Sequence, residues 1–402
     1  MFDIIVVGGG VAGLMAAGTA AERGLRVVLL EKMEKPARKL RITGKGRCNV
    51  TNTRPQKEFL EKVEQGADFV RFAFEQFDNR ATINFFEKIG VPLIEERGGR
   101  VFPASGRAVD IAEALVNWCK RQGVDIRCNT KVIGIEGDFV VKSNRGEFRT
   151  KKVIITTGGV SYPLTGSTGD GYDFAYELGH EIVPLRPSLV PLQIDDIADY
   201  KKLQLRNVGV KLLINNIVSD EKFGDVDFTD VALSGATIIQ LSRRVVDAID
   251  FKKGVIIEID LKPALSIEKL RGRIEREIES LRGATFKVLL QKLTPSSLHK
   301  KISRDTKINI NKPLGMFTEN DTLTLIGVLK GLRFEVKDYR PYAEAIITAG
   351  GVSLDEIDER TMESKKVKGL YFAGEVMDVD CATGGYNIQM ALSTAVLAAK
   401  NF

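Results

Sequence analysis

The sequence predicts an α/β protein whose core is a buried, parallel, doubly wound sheet, and three observations carry that prediction. The apolar run Ile4–Val7 passes through Gly8-Gly9-Gly10 into a small-residue segment that reaches Ala21, and after Gly24 a second apolar run covers Val27–Leu30. This is the strand, tight turn, helix, strand order of a βαβ unit. The runs are continuously apolar rather than alternating, as a sheet covered on both faces requires. Two further apolar runs, Val153–Ile155 and Leu370–Ala373, end in the same glycine-bearing way although they lie far apart in the chain.

The gap between those last two runs implies an inserted domain. Pro184 and Pro187 punctuate its beginning and Pro341 its return. Short alternating runs such as Val208–Ile214 and Val255–Ile259 predict a β-rich, barrel-like module, and helical periodicity from Ile267 to Ile302 predicts a small helical one. The expected division is 1–187 for the first part of the parallel-sheet domain, 188–262 with 313–340 for the β-rich module, 263–312 for the helical module, and 341–402 for the second part of the parallel-sheet domain.

At 402 residues the chain exceeds one ordinary core, and 44% hydrophobic with 28% charged residues is the balance of a soluble globular protein. Met1-Phe2-Asp3 leads into a strand without a basic, apolar leader, and no apolar run of about 18 residues follows. A cytoplasmic protein that does not cross a membrane is expected. Cys48, Cys119, Cys128 and Cys381 are scattered without a C-x-x-C, and His180 and His299 have no Cys or second His nearby, so no metal site is spelled out. His180 closes the helical pattern Tyr172–Gly179, where the helix dipole favours its charged form.

Between Lys262 and Lys312 there are 13 Lys or Arg against 5 Asp or Glu, which more than accounts for the net charge of +6. A solvated helical face is the preferred reading, with nucleic-acid binding as the alternative. Phe286 is the sole Phe, Tyr or Trp in that stretch, a sparse platform for stacking bases.

Gly8-Gly9-Gly10-Val11-Ala12-Gly13 matches GxGxxG between a strand and a helix. Gly8 permits the tight turn, Gly10 lets the backbone approach a pyrophosphate, and Gly13 allows close helix packing, while N–H groups at the helix start offer positive potential. Glu31 closes the second strand, where a carboxylate accepts hydrogen bonds from ribose hydroxyls and disfavours a 2′-phosphate. The pattern predicts a dinucleotide, with Gly8, Gly10, Val11, Ala12, Gly13, Glu31 and the adjoining Lys32 as contacts.

The choice of dinucleotide rests on the C-terminus. Gly369–Glu375 is a strand running into Gly374 and the carboxylate of Glu375, followed by Thr383-Gly384-Gly385-Tyr386-Asn387 and an apolar helix. A nicotinamide needs no such second grip. A flavin does, because ribitol and ring must be carried from the pyrophosphate to a distant site, so FAD is the predicted cofactor. The arrangement resembles that of glutathione-reductase-type flavoproteins. That resemblance implies that Glu375 holds a ribitol hydroxyl and that the helix start at Gly385, Tyr386, Asn387 and Ile388 points at the pyrimidine edge, where positive potential stabilises an anionic reduced flavin. The fold class is accordingly a Rossmann-type FAD-binding domain with an inserted β-barrel-like module and a small helical module.

Between these two grips lie further candidates. Lys39, Lys45 and Arg47, with Gly44 and Gly46, form a basic loop suited to neutralise a pyrophosphate or to lie beside a flavin ring. Thr157-Gly158-Gly159, ending a buried strand, predicts backbone against the cofactor. Gly166–Gly171 opens a helix with Asp170 in its first turn, either an anion-binding nest or simply a tight loop. Val132 completes the assigned contacts. Cys48 also stands among them, and like Cys381 it falls inside a cofactor-facing motif; packing as a small apolar residue is the preferred reading over a redox role.

In chain order, Arg38 through Asn52, Arg100-Val101-Phe102-Pro103, Thr157 through Gly171, Phe228-Thr229-Asp230 to Leu233-Ser234-Gly235, and Thr348-Ala349-Gly350-Gly351-Val352 through Asn387 resemble the bacterial NAD(P)/FAD-dependent oxidoreductase family of aminoacetone-oxidase-like flavoproteins. The resemblance spans nearly the whole chain and departs at Lys45 and Ala236. It implies non-covalent FAD and hydride transfer between flavin N5 and an organic small molecule. The preferred reaction is NAD(P)H-linked reduction of an activated C=C bond. An amine or aminoketone oxidase using O2, and a flavin-containing RNA-binding or RNA-modifying protein, stay open as alternatives. The sequence holds no second GxGxxG, so NAD(P)H is expected only as a transient electron donor, and no proton donor is named.

Overall fold

Ile4–Val7 and Val27–Leu30 each form a strand in which every residue is buried, and they pair in parallel with Val7 opposite Leu30. Asp125–Arg127 adds to the flank of Val27–Leu30, while Val153–Ile155 and then Leu370–Phe372 add to the other flank of Ile4–Val7, all in parallel. The chain therefore leaves the first strand on one side and returns on the other. At such a switch point the strand carboxyl ends leave a crevice for a ligand.

This computed structural model describes residues 2–200 and 202–402 and separates into two compact units, Met1–Ser188 with Tyr342–Phe402, and Leu189–Pro341. In the first unit the helix Val11–Glu22 packs against the helices Ala108–Arg121 and Tyr386–Lys400. Its Ala12, Gly13, Ala16, Ala17 and Gly18 are buried, and the small side chains are what let neighbours approach: a Cβ on Gly18 would run into the indole of Trp118. That indole meets the Phe85 ring edge-on at 4.8 Å. Antiparallel pieces complete the unit, among them the meander Val132–Glu136, Val140–Ser143, Gly146–Arg149.

The second unit is a closed antiparallel barrel of Leu192–Ile194, Leu233–Ser234, Ile217–Phe228, Gln204–Ile214, Val255–Asp260 and Leu332–Tyr339. Its long hairpin turns at Asn215-Asn216, both at positive φ (51° and 63°), the residue type and backbone a two-residue hairpin loop asks for. Alternate residues of Val255–Asp260 are buried. The helices Ile267–Ser280, Phe286–Leu293 and His299–Thr306 share one apolar core with the barrel, Leu270, Phe286 and Ile302 joining Leu212 and Ile257. Thr318 and Asp321 cap Glu319–Lys330 reciprocally.

His180 follows the helix Asp170–Glu177, but its charged form is not what the fold favours. The ring is buried, with Nε2 2.7 Å from Ser364 Oγ and Nδ1 3.3 Å from Ala175 O. Burial pushes its pKa down, and Lys366 reinforces this against the opposing influence of Glu356 and the Ala175 carbonyl. Desolvation is the largest of these influences.

Candidate functional site

At the switch point Val7 leads into Gly8 at φ +101°, a backbone that L side chains rarely adopt. Thr156, just past the neighbouring strand, stitches this turn in place: its hydroxyl lies 3.0 Å from Val7 O and 2.9 Å from Gly8 O. The helix that follows is N-capped by Gly10 without a side-chain cap and has no acid in its first turn. Its N–H groups and positive dipole end are therefore left for an external anion. A Cβ on Gly10 would meet only Thr156 O, at 3.9 Å, so the bare Cα faces open space.

Glu31 is buried and accepts the Gly9 N–H at Oε2 and the Met33 N–H at Oε1, both at 2.7 Å. Burial raises its pKa, opposed by those two backbone bonds and by Lys32 and Arg38. Each oxygen retains a lone pair for a hydroxyl donor. The arrangement also explains Gly9, since a Cβ there would lie 2.8 Å from Glu31 Oε2; the unbroken run of three glycines was the available signal for it.

These groups line a cleft with Lys32, Lys35, Arg38, Lys39, Val132 and Thr157. Lys32 Nζ pairs with Asp170 Oδ2 at 2.6 Å and contacts the Thr168 hydroxyl. Burial pushes the Asp170 carboxyl up, but the Lys32 bond and charge and the Thr168 hydroxyl outweigh it and hold the group below its usual range. Thr157 Oγ1 is buried without a hydrogen-bond partner among the described residues. A bare glycine beside an uncapped helix start, a ribose-type carboxylate, cations and an orphaned hydroxyl in one cleft fit a dinucleotide.

The C-terminal motif reaches the same place. A Cβ on Gly374 would lie 2.9 Å from Ala12 Cβ, so the two glycine motifs meet. Glu375 accepts the Thr348 N–H at 2.9 Å and pairs with Lys39 Nζ at 2.7 Å, and the Tyr172 hydroxyl donates to its backbone oxygen at 3.3 Å. Burial pushes the Tyr172 pKa well up, followed by the nearby charge of Glu375, so this phenol stays a donor. Thr348 and Tyr172 were not singled out from the sequence, although Thr348 stands in one of the motifs that carried the resemblance.

Other assigned residues lie elsewhere or do different work. Val11 follows Gly10 in the first helix, and Gly13 keeps clear of the Gly8 carbonyl, which a Cβ would strike. Gly159 makes room for the Thr348 side chain and Glu375, and Gly158 adopts φ +73°, a backbone that L side chains rarely take. Gly46 is exposed, and a Cβ on it would meet nothing within 4 Å. Arg47 pairs with Glu96 and lies 4.4 Å over the Phe102 ring. Cys48 is fully buried in the apolar core, where burial pushes its thiol up to about 12. None of Gly46, Arg47 and Cys48 lines the cleft around Glu31 and Lys32. Gly385 and Tyr386 open the last helix, but the Asn387 side chain is spent on Cys381, accepting its N–H at 2.9 Å and donating to its carbonyl at 2.8 Å; Ile388 packs against the core.

Residues 2–401 match the model of the family described as HI0933-like protein Rossmann domain. The chain belongs to this family. A 3-dehydro-bile acid delta(4,6)-reductase of Clostridium scindens is 29% identical, covering 100% of this chain and 98% of that protein. A ribosomal RNA dihydrouridine synthase of Escherichia coli is 30% identical with the same coverage, and one of Haemophilus influenzae is 29% identical over 98% of this chain and 97% of that protein. Among solved structures, the 3-ketosteroid delta1-dehydrogenase of Sterolibacterium denitrificans has a TM-score of 0.54 at 14% identity, covering 99% of this chain and 98% of that one. The 3-ketosteroid-delta4-(5alpha)-dehydrogenase of Rhodococcus jostii has 0.51, also at 14%, covering 100% and 96%. These two establish likeness of fold. With the family and the fold in place, the protein is a flavin-dependent oxidoreductase with a Rossmann-type FAD-binding domain. No helix among the described residues is long and apolar enough to cross a membrane, and none of their His, Cys, Asp and Glu side chains cluster to hold a metal.

Proposed function

We propose that the protein reduces a C=C bond conjugated with a carbonyl group, with FAD held non-covalently in the glycine-turn cleft and NAD(P)H as the electron source. One observation carries the bond class. The full-length relatives bear different names, yet a delta(4,6) system beside a 3-dehydro group and the C5=C6 bond of a uracil ring are both C=C bonds polarised by a carbonyl.

In this reading the uncapped helix start behind Gly8, Gly10 and Gly13 takes the pyrophosphate, and Glu31 takes the adenosine ribose, with Val132 beside the adenine. Lys39 and Glu375 stand at the ribitol, and the helix start at Gly385 and Tyr386 faces the pyrimidine edge. Bound FAD would supply hydride transfer; the chain's part is to orient and tune it.

A second reading, that the acceptor is a uridine within RNA, is favoured by the two relatives named for ribosomal RNA. It also has support in the second unit. Several cations of the basic segment are spent on acids, such as Arg271 on Glu275 and Glu319, and Arg304 on Asp196. Lys269, Arg276, Lys287 and Lys292 are exposed and are left for phosphates.

The test is an anaerobic titration of the flavin absorbance with NADH and NADPH, followed by a steroidal dienone, uridine-containing RNA, or air. Bleaching by one nucleotide with rapid recovery on adding the dienone or the RNA supports the proposal and chooses between the acceptors. Recovery with air alone, together with bleaching by an aminoketone, would replace it by an oxidase.

A further inference from the structure

The segment Tyr162–Asp170 borders the cleft, contributing Thr165, Gly166, Ser167 and Asp170 to its lining. At one end the Tyr162 N–H donates to Tyr342 O at 3.1 Å, and at the other Asp170 begins a helix. Between these ends its hold on the facing stretch, residues 32–38, is made of a few contacts. Lys32 Nζ pairs with Asp170 at 2.6 Å and touches Thr168, Arg38 Nη2 donates to Leu164 O at 3.0 Å, and Gly166 sits against Met33. No strand pairing joins the two stretches among the described residues. Leu164, 86% exposed, gives no apolar anchor. The ion pair is the strongest of these contacts, because its two side chains are only 21% and 22% exposed and are screened less than a surface pair.

We propose that Tyr162–Asp170 is a strap over the adenosine half of the bound dinucleotide, latched by the Lys32–Asp170 ion pair, so that these two residues position the strap and set how long the cofactor stays. This rests on the FAD reading above. The charges make the idea separable from simple electrostatics. Asp170 is an anion beside a site for a dianionic pyrophosphate, so by charge alone its removal would tighten binding. As a latch, its removal loosens binding.

The experiment follows loss of FAD from the holoenzyme on dilution, read as the rise of free-flavin fluorescence, for wild type, Asp170→Asn, Lys32→Met and the charge exchange Lys32→Asp with Asp170→Lys. Each single substitution is expected to speed release about tenfold, and the exchange to recover most of that loss, as a direct pair coupling requires. ADP, the adenosine half alone, should show the same acceleration, whereas FMN should not. Release from Asp170→Asn at the wild-type rate or slower overturns the strap, as does an equal effect on FMN. If Asp170→Asn does not fold by circular dichroism, Lys32→Met against the exchanged pair decides the same question. A wild-type chain that holds neither FAD nor ADP overturns the cofactor reading itself and the strap with it, a result distinct from unchanged release.

Discussion

Lys39 Nζ donates to both carboxylate oxygens of Glu375, at 3.0 and 2.7 Å, across 336 positions of sequence. The Thr348 N–H, at 2.9 Å, fixes the same carboxylate from a second direction. The two side chains are 22% and 21% exposed, so the pair is neither a screened surface bridge nor a fully desolvated one. Glu375→Gln removes the negative charge from the pair, makes the Thr348 bond a neutral one and leaves the charged lysine beside an amide. It should cost about 1–2 kcal/mol in a denaturant titration. If Glu375 also holds the ribitol, FAD Kd should rise about tenfold, roughly 1.4 kcal/mol. An unchanged Kd alongside the stability loss would leave Glu375 with a purely structural role.

The two glycines of the first motif should separate binding from folding. Gly10 has φ −73° and only Thr156 O within 4 Å of a Cβ, so Gly10→Val is expected to fold with near wild-type stability while losing FAD, its side chain filling the pyrophosphate space. Gly13 has the Gly8 carbonyl and the Thr156 hydroxyl where a Cβ would go. Gly13→Ala should therefore destabilise the apoprotein itself by a few kcal/mol, about the cost of overpacking a rigid core. Thermal melts of the two apoproteins together with flavin retention check this; full FAD occupancy in Gly10→Val would remove the pyrophosphate assignment.

The difference between those glycines also marks what sequence can show. The turn at Gly8, the open Cα of Gly10, the tight packing at Gly13 and the strand-end place of Glu31 were legible because each is local: one strand, one turn, one helix start, one strand end. Arg47 was not. In sequence it belongs to the same basic loop as Lys39, but its guanidinium is claimed by Glu96 and Phe102, which the hairpin Leu93–Glu96 with Arg100–Pro103 delivers. Cys48 lies next to Arg47 yet points into the core. The basic segment shows the same effect on a larger scale, since the Asp196 and Glu319 that take up Arg304 and Arg271 lie outside Lys262–Lys312. Non-local partners decide which of several equivalent cations stays available.

Stability should fall with acid through His180. Its folded pKa lies below the ordinary 6.5, first because of burial, so the unfolded chain takes up a proton that the folded chain resists. The contribution is complete above about pH 6.5 and is lost as pH falls from there toward the folded pKa, with a limiting slope of about 1.4 kcal/mol per pH unit for one proton. Glu356 opposes the shift and Lys366 reinforces it, so Lys366→Met should narrow the window. Urea titrations at pH 7.5, 6.5 and 5.5 on wild type and His180→Asn test this: the wild-type advantage should shrink with acid. An advantage independent of pH would mean that the histidine matters for packing alone.

The cysteines give a prediction that bears on the chemistry. Cys48 and Cys119 are buried and their thiols pushed up to about 12 by that burial, while Cys381 is 1% exposed and Cys128 only half-buried. The thiolate is the reactive form, so an aromatic disulfide reagent at pH 8 should label Cys128 in the folded protein, and all four thiols only in denaturant. Cys48→Ser should lower stability by about 1–3 kcal/mol, the cost of placing a hydroxyl in an apolar core, yet leave the rate of flavin bleaching by NAD(P)H unchanged. A thiol serving as a redox relay gives the reverse pattern, fast labelling of Cys48 in the native state and slowed electron transfer in the serine variant. The buried, apolar setting of Cys48 favours the first outcome, because a thiolate formed there would have no compensating charge or solvent to stabilise it.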